Sequence, residues 1–121
     1  MTPPRALGMP IADDDPRVDA VFAALADGTR RTVLRTVVAD GPITATAIAG
    51  DLPVSRQAIA KHLQILQSAG LVQAERAGRE SRYEASAGAM RPAVDWIDAT
   101  DAAWSRRLAD LSREVARRRS R

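Results

Sequence analysis

Apolar residues along this chain recur mostly every three to four positions, the period of helices with one buried face. Val18, Val21, Phe22 and Leu25 stand at i, i+3, i+4 and i+7, and with Pro16 suited to a first turn they predict a helix from Asp15 to near Ala26. Asp27 is placed to cap a second helix, Gly28 to about Ala39, whose Val33, Leu34, Val37 and Val38 repeat the buried stripe until Gly41-Pro42 stops it. Thr44 then caps a short third helix packed through Ala47, Ile48 and Leu52, and Pro53-Val54-Ser55 makes a tight turn. Ser55 caps a fourth helix that runs to Ala69 with Gly70 after its end. Two helices joined by so short a turn form a helix-turn-helix unit. Period two follows, in Leu71 to Arg76 and Ser81 to Ser86 around Ala77-Gly78-Arg79-Glu80, which predicts a β-hairpin.

The last predicted helix, about Ala89 to Arg117, is the longest. Its Met90, Val94, Ile97, Asp101, Trp104, Leu108, Leu111 and Val115 are spaced alternately by four and three, a heptad seam with one polar member. So long a stripe on a terminal helix exceeds what a small domain covers, and a second copy of the chain is the natural partner. Asp101 reads as a register-fixing or solvent-facing residue before it reads as a switch. Trp96, one residue off the seam, reads as edge packing at a dimer interface before it reads as the wall of a ligand pocket.

The fourth helix has the most telling surface. On a helical wheel Ile59, His62, Leu63, Leu66 and Ala69 share one face, while Arg56, Gln57, Ala60, Lys61, Gln64 and Ser68 share the other. From Ser55 to Ser68 there are one Arg, one Lys, three Gln and no carboxylate, a set suited to phosphates and base edges. His62 is the sole histidine, and its place on the inner face makes it a hydrogen-bonded packing residue rather than a catalyst.

Charge sharpens this reading. Residues 1–53 carry 5 basic and 7 acidic side chains, a balance of −2, and residues 54–121 carry 13 and 8, a balance of +5. An acidic first half and a basic second half suit a nucleic-acid partner met through the second half. With 121 residues and only four aromatic side chains, the expectation is one mainly α domain whose core is built from Ala, Val, Leu and Ile. Boundaries are expected at a disordered leader over 1–13, a domain over 14–116 that includes a dimerisation helix at about 89–116, and a frayed basic tail over 117–121. Met9 is a second candidate start.

The absence of cysteine excludes disulfides and thiolate chemistry. With one histidine and no Gly-rich phosphate loop, the chain offers no catalytic constellation, so no enzyme activity and no cofactor are expected. No apolar run reaches membrane-span or signal-peptide length, and a soluble cytoplasmic protein without a membrane partner is expected.

Taken in order, Leu25-Ala-Asp-Gly-Thr-Arg-Arg31, the run Ser55 to Val72 with His62-Leu63 and Ala69-Gly70-Leu71-Val72, and Gly78-Arg79 four residues before Tyr83 resemble the ArsR family of winged helix-turn-helix repressors. The resemblance covers about Val18 to Val115 and is strongest for members without a metal site. It implies five helices and a small β-hairpin wing, with the last helix serving dimerisation. It also implies a homodimer that sets two recognition helices into successive major grooves of a palindromic operator in double-stranded DNA and represses transcription. On this chain the residues expected at DNA are Thr44, Thr46, Ser55, Arg56, Gln57, Ala60, Lys61, Gln64, Arg79 and Arg82. Ser55 would meet phosphate at a helix N-terminus, Arg56 and Gln57 would reach base edges, and the hairpin arginines would follow the backbone or minor groove, with Glu80 weakening the wing's charge. Ala60 stands where relatives often carry serine, trading a hydroxyl contact for a surface that suits a thymine methyl.

Metal-sensing members use cysteines, or Asp and His on the last helix. This chain keeps only Asp95, Asp98 and Asp101 there, which read as ion-pair partners for Arg91, Arg106 and Arg107, so no metal is expected. No sequence feature points to an effector. A winged-helix module that binds protein in place of DNA is the alternative reading.

Overall fold

A computed structural model describes residues 15–120. The expected leader over 1–13, with the choice between Met1 and Met9, lies outside the described residues. In chain order the elements are α1 (Pro16–Leu25), α2 (Gly28–Asp40), β1 (Ile43–Thr44), α3 (Ala45–Asp51), α4 (Arg56–Ser68), β2 (Val72–Ala77), β3 (Glu80–Ala85) and α5 (Arg91–Arg119). This is the mainly helical, five-helix winged helix-turn-helix expected from the sequence.

The first four helices each begin where a side-chain oxygen satisfies an otherwise unpaired backbone N–H. Asp15 accepts from Arg17 N, Asp27 from Arg30 N, Thr44 from Ala47 N and Ser55 from Ala58 N. The α1–α2 joint is closed from both sides. While Asp27 caps α2, Arg30 Nη1 donates to the carbonyls of Ala23 and Ala24 and Arg31 Nη1 to that of Leu25, so the last turn of α1 is capped by cations from the next helix. That joint is the structural meaning of the Leu25 to Arg31 motif.

Val21, Ala24, Val33, Leu34, Val37, Ile48, Ile59, Leu63, Leu66, Leu71, Val72 and Ala93 form one buried cluster drawn from every helix and from β2. Complete burial of a Leu or Ile side chain stabilises by roughly 1.5–3 kcal/mol, so this cluster dominates the fold's stability. The α4 helix ends in a Schellman closure: Leu71 N donates to Leu66 O at 2.9 Å, Gly70 N donates to Gln67 O at 3.0 Å, and Gly70 takes the left-handed φ of 80° that this turn requires. Leu66 and Leu71 are both buried, which locks the angle at which the chain leaves α4 for the hairpin.

Three differences from the sequence reading have physical causes. The sheet has three strands in the order β1-β3-β2, all antiparallel, because Ile43 and Thr44 pair with Tyr83 and Arg82. A two-residue strand has no readable period; it exists only because β3 supplies its partner. Gly41 lets α2 end close against β3, since a Cβ there would lie 2.5 Å from the Val37 carbonyl oxygen and 3.0 Å from that of Tyr83. The hairpin is shifted by a residue and tighter than expected, with Ala77 paired to Glu80 around Gly78-Arg79 and Gly78 at φ 66°. Finally, α5 continues to Arg119, so Arg117 to Arg119 are helical and not frayed. Glu114 pairs with both Arg117 and Arg118, and three arginines in the last turn complement the helix dipole.

Candidate nucleic-acid interface

The amphipathic split of α4 decides what it buries and what it presents. Ile59, Leu63 and Leu66 are fully buried and His62 and Ala69 half-buried, while Arg56, Gln57, Ala60, Lys61, Gln64 and Ser68 are exposed. His62 packs inward as expected, but Nδ1, buried, makes no hydrogen bond among the described residues, where a hydrogen-bonded histidine was expected. The Asp27 carboxyl is held below the usual aspartate range, first by the Arg30 backbone N–H and further by the charge of the nearby His62, with burial opposing the shift.

Around the exposed face of α4 the fold assembles the other expected residues. Thr46 is exposed in the first turn of α3, and Thr44 just before it is half-buried, its hydroxyl oxygen accepting from Ala47 N. Pairing of Thr44 with Arg82 sets the start of α3 beside the wing. Arg56 in the first turn of α4 donates from Nε to Thr46 Oγ1 at 3.0 Å, the Thr46 hydroxyl donates to Glu80 Oε1, and Arg56 Nη2 stands 3.8 Å from the same carboxylate oxygen. Thr46, Arg56 and Glu80 therefore join α3, α4 and β3 at one point. Sequence reading assigned Glu80 only a negative effect on wing charge, because a contact across 34 positions leaves no local signal.

On the hairpin, Arg79 occupies the exposed tip. Arg82 is exposed but lies among acids, since it pairs directly across the strands with Glu75 while Glu80 and Glu84 flank it on the same face of β3. Its positive potential is diluted in a way the linear sequence conceals. Arg76, absent from the sequence-based set, is exposed on β2 and donates from Nε to Gly78 O at 3.1 Å, bracing the tip that carries Arg79.

The second surface lies on α5, which has two stripes. Ala93 and Ala103 are buried and Trp96 and Thr100 half-buried along one line facing α1, where Trp96 meets Phe22 edge to face at 5.6 Å between ring centroids. Trp96 is thus packed within the chain, against the expectation of a dimer edge. Along the other line Val94 is half-buried, and Met90, Ile97, Asp101, Trp104, Leu108, Leu111 and Val115 are exposed, Trp104 at 62%. Of the ion pairs expected on this helix, Arg91 and Asp95 approach to 3.8 Å; the other pairs lie further along, Arg113 with Asp110 and Glu114 with its two arginines. Among the described residues no group of three or more His, Asp or Glu side chains is arranged to hold a metal ion, and no helix is long and apolar enough to cross a membrane.

One buried core under a helix-turn-helix pair, with a β-hairpin following the second helix of that pair, defines a winged helix-turn-helix protein, and comparisons with known proteins agree. Residues 25–73 match the model of a helix-turn-helix domain. The chain is 44% identical over 66 residues to the HTH-type transcriptional regulator Rv2034 of Mycobacterium tuberculosis, a match spanning 54% of this chain and 61% of that relative. It is 31% identical over 77 residues to the transcriptional repressor SdpR of Bacillus subtilis, spanning 64% of this chain and 84% of that one. Among solved structures, an ArsR-like transcriptional regulator from Rhodococcus sp. RHA1 superposes with a TM-score of 0.70 at 41% identity, covering 81% of this chain and 92% of that chain. The chain belongs to the ArsR family of winged helix-turn-helix transcriptional regulators.

Proposed function

We propose that this chain acts as a homodimeric repressor in the cytoplasm. Two copies join through the outer stripe of α5 and set their α4 helices into successive major grooves of a palindromic operator, roughly 34 Å apart. The observation that carries this reading is the surface of α4: a capped helix whose exposed side, Arg56, Gln57, Ala60, Lys61 and Gln64, is polar, basic and free of carboxylates. The first turn of any α-helix leaves N–H groups without intrahelical partners, and beside Ser55 such groups suit phosphate. Gln57 then has the two-pronged amide that pairs with adenine and Arg56 the fork that pairs with guanine.

Lys61, Gln64 and the tip residue Arg79 extend the contact along the backbone, while Thr44, Thr46 and Arg82 border it. The exposed stripe of α5 supports the dimer, since an apolar surface of this length on a monomer marks an interface. The chain acts by binding and not by catalysis, with double-stranded DNA and a second copy of itself as partners.

Electrophoretic mobility shift with the DNA upstream of the protein's own gene tests the reading. We expect a retarded band at low salt, and if three cations per protomer neutralise phosphates the logarithm of affinity falls with the logarithm of salt with a slope of roughly −5. No retarded band at low salt would refute DNA reading and favour the second reading, a winged-helix module for a protein partner, to which the carboxylates Glu75, Glu80 and Glu84 on the wing lend some weight.

A further inference from the structure

The Arg56–Thr46–Glu80 contact is exposed, with the Arg56 and Glu80 side chains 63% and 39% accessible, and an exposed pair of this kind adds little to folding. Its consequence lies in what it does to Arg56. The Nε edge of the guanidinium is spent on Thr46 Oγ1, whereas Nη2 stays 3.8 Å from Glu80, beyond hydrogen-bond length, and Nη1 makes no hydrogen bond among the described residues. The forked end of the side chain is therefore left open while its stem is held. Ordering a free arginine at an interface costs conformational entropy, and a side chain held beforehand avoids much of that cost.

We propose that Thr46 and Glu80 are positioning residues: they hold Arg56 in one orientation so that its terminal nitrogens meet a guanine edge, and through Glu80 the wing governs the sequence discrimination of α4. This inference rests on the DNA-binding reading above. Glu80 then has two opposed effects. Its negative charge beside the phosphates weakens binding to every sequence, and its grip on Thr46 and Arg56 sharpens the choice among sequences. A side chain that only braced the fold, or only touched phosphate, would not separate these quantities.

The test uses the full chain. Wild-type protein selects a preferred duplex from a random-sequence DNA pool, and fluorescence anisotropy then compares that duplex with a base-scrambled one of equal length. Thr46→Val removes the hydroxyl at nearly constant volume, and Glu80→Gln removes the charge that draws Arg56 at nearly constant size. We expect Thr46→Val to lower the affinity for the preferred duplex about fivefold to tenfold more than the affinity for the scrambled one, so that their ratio falls by that factor. Glu80→Gln should tighten scrambled binding about threefold while the ratio falls.

In an Arg56→Ala background Thr46→Val should change the ratio no further. Equal weakening on both duplexes by Thr46→Val, equal tightening on both by Glu80→Gln, or additive effects with Arg56→Ala would each overturn the proposal while leaving DNA reading intact. A wild-type chain that enriched no sequence would instead overturn the DNA reading, and this inference with it.

Discussion

The helices α4 and α5 are both amphipathic, yet they leave opposite surfaces exposed. In α4 every large residue of the apolar stripe except Ile65 finds cover inside the chain, so what remains outside is polar and basic. In α5 Ala93, Trp96 and Ala103 take the inner line, and Ile97, Trp104, Leu108, Leu111 and Val115 are left outside. A short core can absorb one stripe of a 13-residue helix but not two stripes of a 29-residue one. The two helices differ in what is left uncovered: α4 has satisfied its hydrophobic demand and offers hydrogen bonds, whereas α5 keeps an exposed apolar line.

The strongest way to break this contrast is to place a charge on the exposed line of α5. Leu108→Asp should leave the domain folded, give a monomer in multi-angle light scattering and reduce operator affinity by at least about a hundredfold, because the second α4 is no longer tethered. A variant that stayed dimeric would remove α5 from the interface. A smaller effect probes the exposed side of α4. Gln57→Ala should reduce the preference for operator over random DNA by about tenfold. Arg79→Ala at the hairpin tip should weaken both severalfold and make the salt slope shallower by about one for each chain. Identical behaviour of the two variants would show that α4 and the wing do not divide base reading from backbone contact.

The N-terminus of α4 is a finer probe. Ser55→Ala removes the hydroxyl that accepts from Ala58 N, and urea titration should show a loss of about 1 kcal/mol. The least effect concerns the Asp27 cap at the α1–α2 joint. Because the folded state lowers the Asp27 carboxyl, its contribution is fully present above the ordinary aspartate value near 3.9 and disappears as pH falls through the lower folded value. Asp27→Asn, which keeps a capping oxygen, should therefore flatten the decline of urea stability below about pH 4; an unaltered decline would assign it to other carboxylates, Asp15 beside Arg17 foremost.

Much of this molecule was legible in the chain because its signals are local. Caps at Asp27, Thr44 and Ser55, the glycine after α4 and the alternating spacing on α5 act over a turn or two of helix, so residue order alone carries them. The family resemblance rests on the same local features, and the structure gives physical reasons for them: the Leu25 to Arg31 run is a double cap, and the Ala69 to Val72 run is a Schellman closure.

Tertiary structure decided what depends on neighbours distant in sequence. Pairing of Ile43 and Thr44 with β3 made a third strand from two residues without a period. Packing against Phe22 turned Trp96 inward, and strand register set Arg82 among carboxylates. Thr46, Arg56 and Glu80 came together only because α3, α4 and the hairpin converge. The sequence by itself therefore determined which helices form and which face of each is apolar, since both follow from periodicity and caps within a few residues. Which exposed side chains are held, diluted or left open was decided by the fold, because electrostatics and hydrogen bonding depend on distance in space and not along the chain.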